Sequence, residues 1–167
     1  MRTNNENSVD VFINPIDNIE DIINAYELDS FRKSNDELSI EYNGLWNSYE
    51  LSFKWVYFNS IIKINSNLNI KVSKRLVKGL NSLICLINEN LSLGYFGFSS
   101  KKQCIYFRHN ISLRGVNNFS AEQIEDFIDI LIYECDKYYP AFLCFIQNKY
   151  DPEYALKIAL VETLGEA

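Results

Sequence analysis

The sequence predicts an α+β domain: an antiparallel β-sheet with helices packed on one face, in the order α-β-β-β-α-β-β-α-α. Three observations lead there. Period-two runs come in two clusters, a set of three and a set of two, each joined internally by short turn signals. Apolar stripes at helical spacing stand between and after these clusters, an arrangement of segregated strands and helices. No repeat, low-complexity tract or linker interrupts the 167 residues, a length suited to one domain. Residues 1–12 are polar and read as a flexible N-terminus, leaving 13–167 as the single folded unit.

Asn14-Pro15 opens the first helix, with Asn as cap and Pro at the first helical position. Ile16, Ile19, Ile22, Ile23 and Tyr26 fall on one of its faces. Leu38, Ile40 and Tyr42 then alternate with Ser39 and Glu41, and Asn43-Gly44 is a turn signal. In the next strand Tyr49, Leu51, Phe53, Trp55 and Tyr57 face one way, while Glu50, Ser52 and Lys54 face the other. After Asn59-Ser60, Ile62, Ile64, Leu68 and Ile70 complete a meander with one buried face.

Ser73 is placed to cap a second helix, whose stripe is Leu76, Leu80, Leu83, Ile84, Ile87 and Leu91, with Gly94 as its stop. Tyr95–Phe98 and 103–113 form a hairpin around 99–102. Ser120 and Gln123 make a capping box for a third helix. Its stripe runs through Ile124, Phe127, Ile128, Leu131, Ile132, Cys135, Tyr138 and Tyr139, and Pro140 is expected to kink or break it. Asp151-Pro152 starts a last helix with Leu156, Ile158, Ala159 and Leu160 to bury.

Composition narrows the function. With 22 acidic against 16 basic residues the chain carries −6, a sign that opposes nucleic-acid phosphates. The apolar run from Tyr138 to Ile146 is too short to span a bilayer, and no apolar stretch follows the basic start as a signal peptide requires. Four cysteines, at 85, 104, 135 and 144, include no C-x-x-C pair and have one histidine to join them, so a zinc site is not expected; reduced, mostly buried thiols in the cytoplasm are.

The motifs "LSFKW" (51–55), "INENLSLGYF" (87–96), "FRHNISLRG" (107–115), "YECDKYYPAF" (133–142) and "ETLGEA" (162–167), together with the element order, resemble the alphaproteobacterial branch of the YbjN-domain family of bacterial sensory-transduction regulators. The similarity covers about Pro15 to the last residue. It implies a fold similar to type III secretion chaperones and a regulatory or chaperone-like role, and it brings no catalytic residue set. Lys101-Lys102 stands where the family suggests an acidic or Gly-containing turn.

The candidate sites are few. His109 shares a strand face with Ile105, Phe107, Ile111 and Leu113, so it points inward as a neutral ring; a pH-sensing or partner-contacting role is the alternative. General-base catalysis would need a nucleophile and an orienting group, and the sequence nominates neither. Arg108 lies on the opposite face and Arg114 at the strand end. Both suit ion pairs with the abundant carboxylates, or together an anionic group. The carboxylates of Glu122, Glu125, Asp126 and Asp129, like those of Asp17, Glu20 and Asp21, fit a solvated helix face. The segment around Pro140 is apolar on every side: Tyr138, Tyr139, Phe142 and Phe145 suit either an all-round buried helix or a partner interface, a homodimer seam included. Trp46 falls on the polar side of its strand and suits a contact surface or a covered one. The expectation is a non-enzymatic cytoplasmic module that binds a protein, without cofactor, nucleic acid or membrane. The alternative is a small-molecule sensor with a ligand between sheet and helix, contacted by Arg108, His109 or Arg114.

Overall fold

The computed structural model describes residues 14–115, 118–148 and 150–164, with the side chains of 162–164 left aside. The polar stretch 1–12, and 165–167 of the last motif, lie outside the described residues. In chain order the elements are α1 (Pro15–Ala25), β1 (Ser30–Ser34), β2 (Glu37–Asn43), β3 (Ser48–Val56), β4 (Ile61–Lys71), α2 (Val77–Asn88), β5 (Tyr95–Ser99), β6 (Cys104–Ser112), α3 (Ala121–Asn148) and α4 (Pro152–Leu164). Six antiparallel strands form one sheet in the order β1-β2-β3-β4-β6-β5. The expected element order is thus present, with one further strand, β1, added at the edge ahead of the meander.

Alternation decides which face is covered. Leu38 and Ile40, then Tyr49, Leu51 and Phe53, Ile62 and Ile64, and Ile105 and Phe107 are all buried on one face. Ile16, Ile19 and Ile23 of α1 and Ile124, Leu131, Cys135 and Tyr138 of α3 close over them in a single core. Phe96 of β5 is the hub of an aromatic cluster. Its ring meets Phe107 at 5.0 Å, Phe142 at 5.3 Å and Tyr138 at 5.9 Å, each edge to face. Such pairs add about 0.5–1.5 kcal/mol each beyond the area they bury.

The local signals act largely as written, with four corrections. Asn14 caps α1 through Oδ1, which accepts from the Ile16 N–H at 3.0 Å. Ser120 and Gln123 form the reciprocal capping box, and Asp151 Oδ1 caps α4 by accepting from the Tyr154 N–H. Ser73, by contrast, makes no side-chain cap; a 3-10 turn over Lys74–Leu76 precedes α2. Gly94 is not the stop of α2, which ends at Asn88. Its φ of +72° carries the chain past β6 so closely that a Cβ there would lie 2.4 Å from the Phe107 ring. Pro140 does not break α3, which runs through it for 28 residues. Burial on both sides of that segment holds the helix together: Phe145 packs so near Gly79 of α2 that a Cβ on Gly79 would meet its ring at 2.8 Å, and Ala155 and Ala159 of α4 are fully buried. Finally, Cys85 is exposed, while Cys104 and Cys135 are buried and Cys144 half-buried; none of the four forms a disulfide among the described residues.

Candidate functional site

The segment 138–145 builds inward rather than outward. Tyr138 and Phe142 are completely buried, Phe145 nearly so, and Tyr139 half-buried with its ring 6.5 Å from that of Tyr49. As partner contacts Tyr138, Phe142 and Phe145 are corrected by their position: α2, α4 and the sheet already enclose them, and the folded chain offers them to no second protein.

Trp46 is corrected in place but not in exposure. It leaves the strand and sits in the β2–β3 turn, closed by the Gly44 N–H donating to the Asn47 carbonyl at 2.9 Å. The indole is 52% exposed and the neighbouring Leu45 78%. This tip is fixed from below. Asp136, buried in α3, accepts from the Tyr49 hydroxyl at 2.7 Å and from the Leu45 N–H at 2.9 Å. The close packing explains Gly44, because a Cβ there would stand 2.3 Å from the Tyr49 ring and 2.6 Å from the Asp136 carboxylate. Burial, reinforced by the bond to Asp136, pushes the Tyr49 phenol far above its ordinary range, so it stays a donor. One turn before Asp136, Tyr133 is also exposed. Two long apolar side chains are therefore presented to water on a rigid mount. A second aromatic tip occupies the β3–β4 turn at the opposite end, where Phe58 is 94% exposed.

His109 lies on the covered face, half-buried with its ring centroid 5.8 Å from that of Phe127. Desolvation holds its pKa below the ordinary value. No thiol, hydroxyl or carboxylate among the described residues hydrogen-bonds to it. Among the same residues no group of three His, Cys, Asp or Glu side chains is placed to hold a metal ion, and no helix is long and apolar enough to cross a membrane.

Arg108 points to the uncovered face. Its Nε and Nη2 both donate to Asn65 Oδ1 at 3.3 Å, and its guanidinium lies 4.6 Å over the Tyr106 ring. The ion pair expected for Arg108 is absent among the described residues; an amide and an aromatic ring hold it instead. Arg114 is exposed past the strand end, roughly 20 Å along the chain from Arg108 at 3.3 Å per residue. The two do not converge on one group. Between sheet and helices a cavity of about 170 Å³ is lined by Tyr26, Leu28, Tyr42, Glu125, Ile128 and Asp129, none of them the expected polar contacts. Arg108 instead lines a cleft of about 250 Å³ on the open face with Asn65, Asn67, Phe98, Lys102 and Tyr106 among others.

Of the acidic residues, Glu122, Glu125, Asp126 and Asp129 are exposed, with Glu125 accepting from the Tyr26 hydroxyl at 3.1 Å. Asp17 and Glu20 have a role that spacing did not reveal: both pair with Arg32 and tie β1 to α1.

A sheet roofed by helices on one face, polar and uncovered by any helix among the described residues on the other, with apolar tips at two turns, defines a class of small α+β module. The chain belongs to the YbjN family, described as "putative bacterial sensory transduction regulator", whose model matches residues 15–143. Among solved structures, it is similar to the crystal structure of YbjN, a "putative transcription regulator" from E. coli, at 11% identity and a TM-score of 0.54, covering 77% of this chain and 94% of that one. At that identity the likeness establishes the fold. A chain of the ExsC–ExsE complex matches at 9% identity and a TM-score of 0.48, covering 71% of this chain and 85% of that one. No curated protein matches the sequence.

Proposed function

We propose that this chain is a non-enzymatic regulator of the YbjN type, of the alphaproteobacterial branch its motifs resemble, that works in the cytoplasm by binding another protein. The observation that carries the reading is the Leu45–Trp46 tip. Apolar side chains left in water at the end of a flexible loop mean little, but these are locked onto α3 by a buried carboxylate, so they lose little freedom on docking. Aromatic anchors of this kind dominate protein interfaces. His109, facing Phe127 with no nucleophile among the described residues hydrogen-bonded to it, supports a role without catalysis.

The test is affinity capture from the native cell with the wild-type chain and Trp46→Ala, each checked for its melting temperature. The reading expects a protein that copurifies with the wild type and is lost with the variant, without loss of stability. Equal recovery by both would remove Trp46 as the anchor, and a copurifying species that is a second copy of this chain would assign the tip to a homodimer. The small-molecule reading is favoured by one observation, the open-face cleft around Arg108, and its ligand would be anionic.

A further inference from the structure

The open face divides into two halves by charge. On the β1–β3 half the cations are neutralised: Lys33 pairs with Glu50, and Lys54 with Glu37 at 2.8 Å. On the β4–β6 half Lys63, Lys71, Lys102 and Arg108 form no ion pair among the described residues, although Lys102 lies near enough to Glu50, already paired with Lys33, to help hold its carboxyl below the ordinary range. Acids outnumber bases 22 to 16 in this chain, so four cations left unpaired on one half of one face are not explained by a shortage of carboxylates.

Arg108 is also built into position. Gly97 pairs directly with Tyr106, and a Cβ on it would stand 2.5 Å from that ring; the bare backbone lets the phenol lie across β5. Arg108 stacks on this ring while Asn65 holds its Nε and Nη2. The rest of the fork is left for an incoming oxygen pair. The cleft follows β6 towards Cys104 and Lys102, where the Lys71 ammonium donates to the Lys102 carbonyl at 3.4 Å. From Arg108 to Cys104 is four strand residues, about 13 Å.

We propose that this groove binds an acidic peptide segment in extended form, one carboxylate on Arg108 and another, about four residues on, at Lys71 and Lys102. The proposal rests on the protein-binding reading and names the chemistry of the partner. A half-open groove that tracks a strand suits a chain better than an isolated anion. The net charge of −6 opposes such a ligand at long range, but screening confines that repulsion to about 8–10 Å at ordinary salt, so the local cations prevail.

The test uses a fluorescein-labelled eight-residue peptide alternating Glu and Thr, followed by anisotropy and by amide chemical shifts. Binding should perturb Asn65, Asn67, Tyr106 and Arg108, weaken as salt rises, and fall about tenfold or more in Arg108→Gln with the melting temperature unchanged. Arg108→Lys should retain part of it. A Lys-Thr peptide should not bind. Arg108→Gln binding as well as the wild type would overturn the proposal. So would tighter occupation of the same residues by inorganic phosphate, succinate or single-stranded oligothymidine, which would assign the groove to a free anion or a nucleic acid. The two readings fail separately: a native partner retained by Arg108→Gln and lost by Trp46→Ala would sink the groove and leave the interaction module standing.

Discussion

Removing one oxygen atom, in Tyr49→Phe, measures how firmly the β2–β3 tip is mounted. The Tyr49 ring is wholly buried and its hydroxyl sits 2.7 Å from Asp136 Oδ1, itself shielded from water. Phenylalanine preserves the packing and leaves Oδ1 without that donor. A hydrogen bond to a charged acceptor is worth about 1.5–3 kcal/mol net, so a loss of about 2 kcal/mol is expected, or roughly 4–8 °C in melting temperature for a chain of this size. Urea unfolding followed by circular dichroism and by fluorescence gives the free energy; the slope with denaturant should not change. The phenol pKa is raised in the folded state, so its contribution is complete below about pH 10 and disappears as pH climbs through the folded value. The difference between wild type and variant should therefore be flat from pH 6 to 9. A loss below about 0.5 kcal/mol would refute the network as the anchor of the tip.

Phe142→Ala should cost about 3–5 kcal/mol, measured by calorimetry, because the ring is completely enclosed and stacks edge-on against Phe96. Trp46→Ala should stay within about 0.5 kcal/mol, and this contrast separates core aromatics from surface ones. For His109, burial lowers the pKa, so the neutral ring stabilises the fold above about pH 6.5 and that stability is lost as pH falls through the depressed value. An NMR titration of the ring protons should give a midpoint below that of a model peptide, and a midpoint at or above it would mean a solvated or paired imidazole.

Most of the fold was legible because its elements have clean periods. The meander alternates apolar and polar residues, and the stripe of α3 is continuous from Ile124 to Tyr139. What was missed lacked a period or was decided by tertiary contact. β1 reads "SFRKS", with Phe31 exposed and Arg32 turned to the acids of α1; pairing to β2 and ion pairing make it a strand, and neither is a hydrophobic signal. Trp46 was assigned a strand face by alternation from Ser48, but the Gly44–Asn47 turn had already taken it off the strand. Pro140 carries a strong local rule, yet enclosure by α2, α4 and the sheet keeps α3 helical. The aromatic run around it announced burial and interface equally, because sequence shows how greasy a helix is and not what surrounds it.

Net charge is blind in a related way, because it averages over a molecule whose faces differ in charge. The sum of −6 argued against nucleic-acid phosphates and said nothing of where the cations lie. The fold places exposed carboxylates Asp21, Glu122, Glu125, Asp126 and Asp129 on α1 and α3, the roofed side, keeps Glu37 and Glu50 of the open face paired with lysines, and puts Lys63 and Lys71 of β4, Lys102 of the β5–β6 turn and Arg108 of β6 on the open side. Period-two alternation could have revealed half of this, since Lys63, Arg108 and Tyr106 each alternate with buried neighbours. The other half, that β4 and β6 are adjacent across an intervening helix and hairpin, is topology. A cationic strip therefore exists on an acidic protein because two strands distant in sequence were brought side by side. Sign arguments drawn from composition hold for the molecule as a whole and fail at any face that the sheet order assembles.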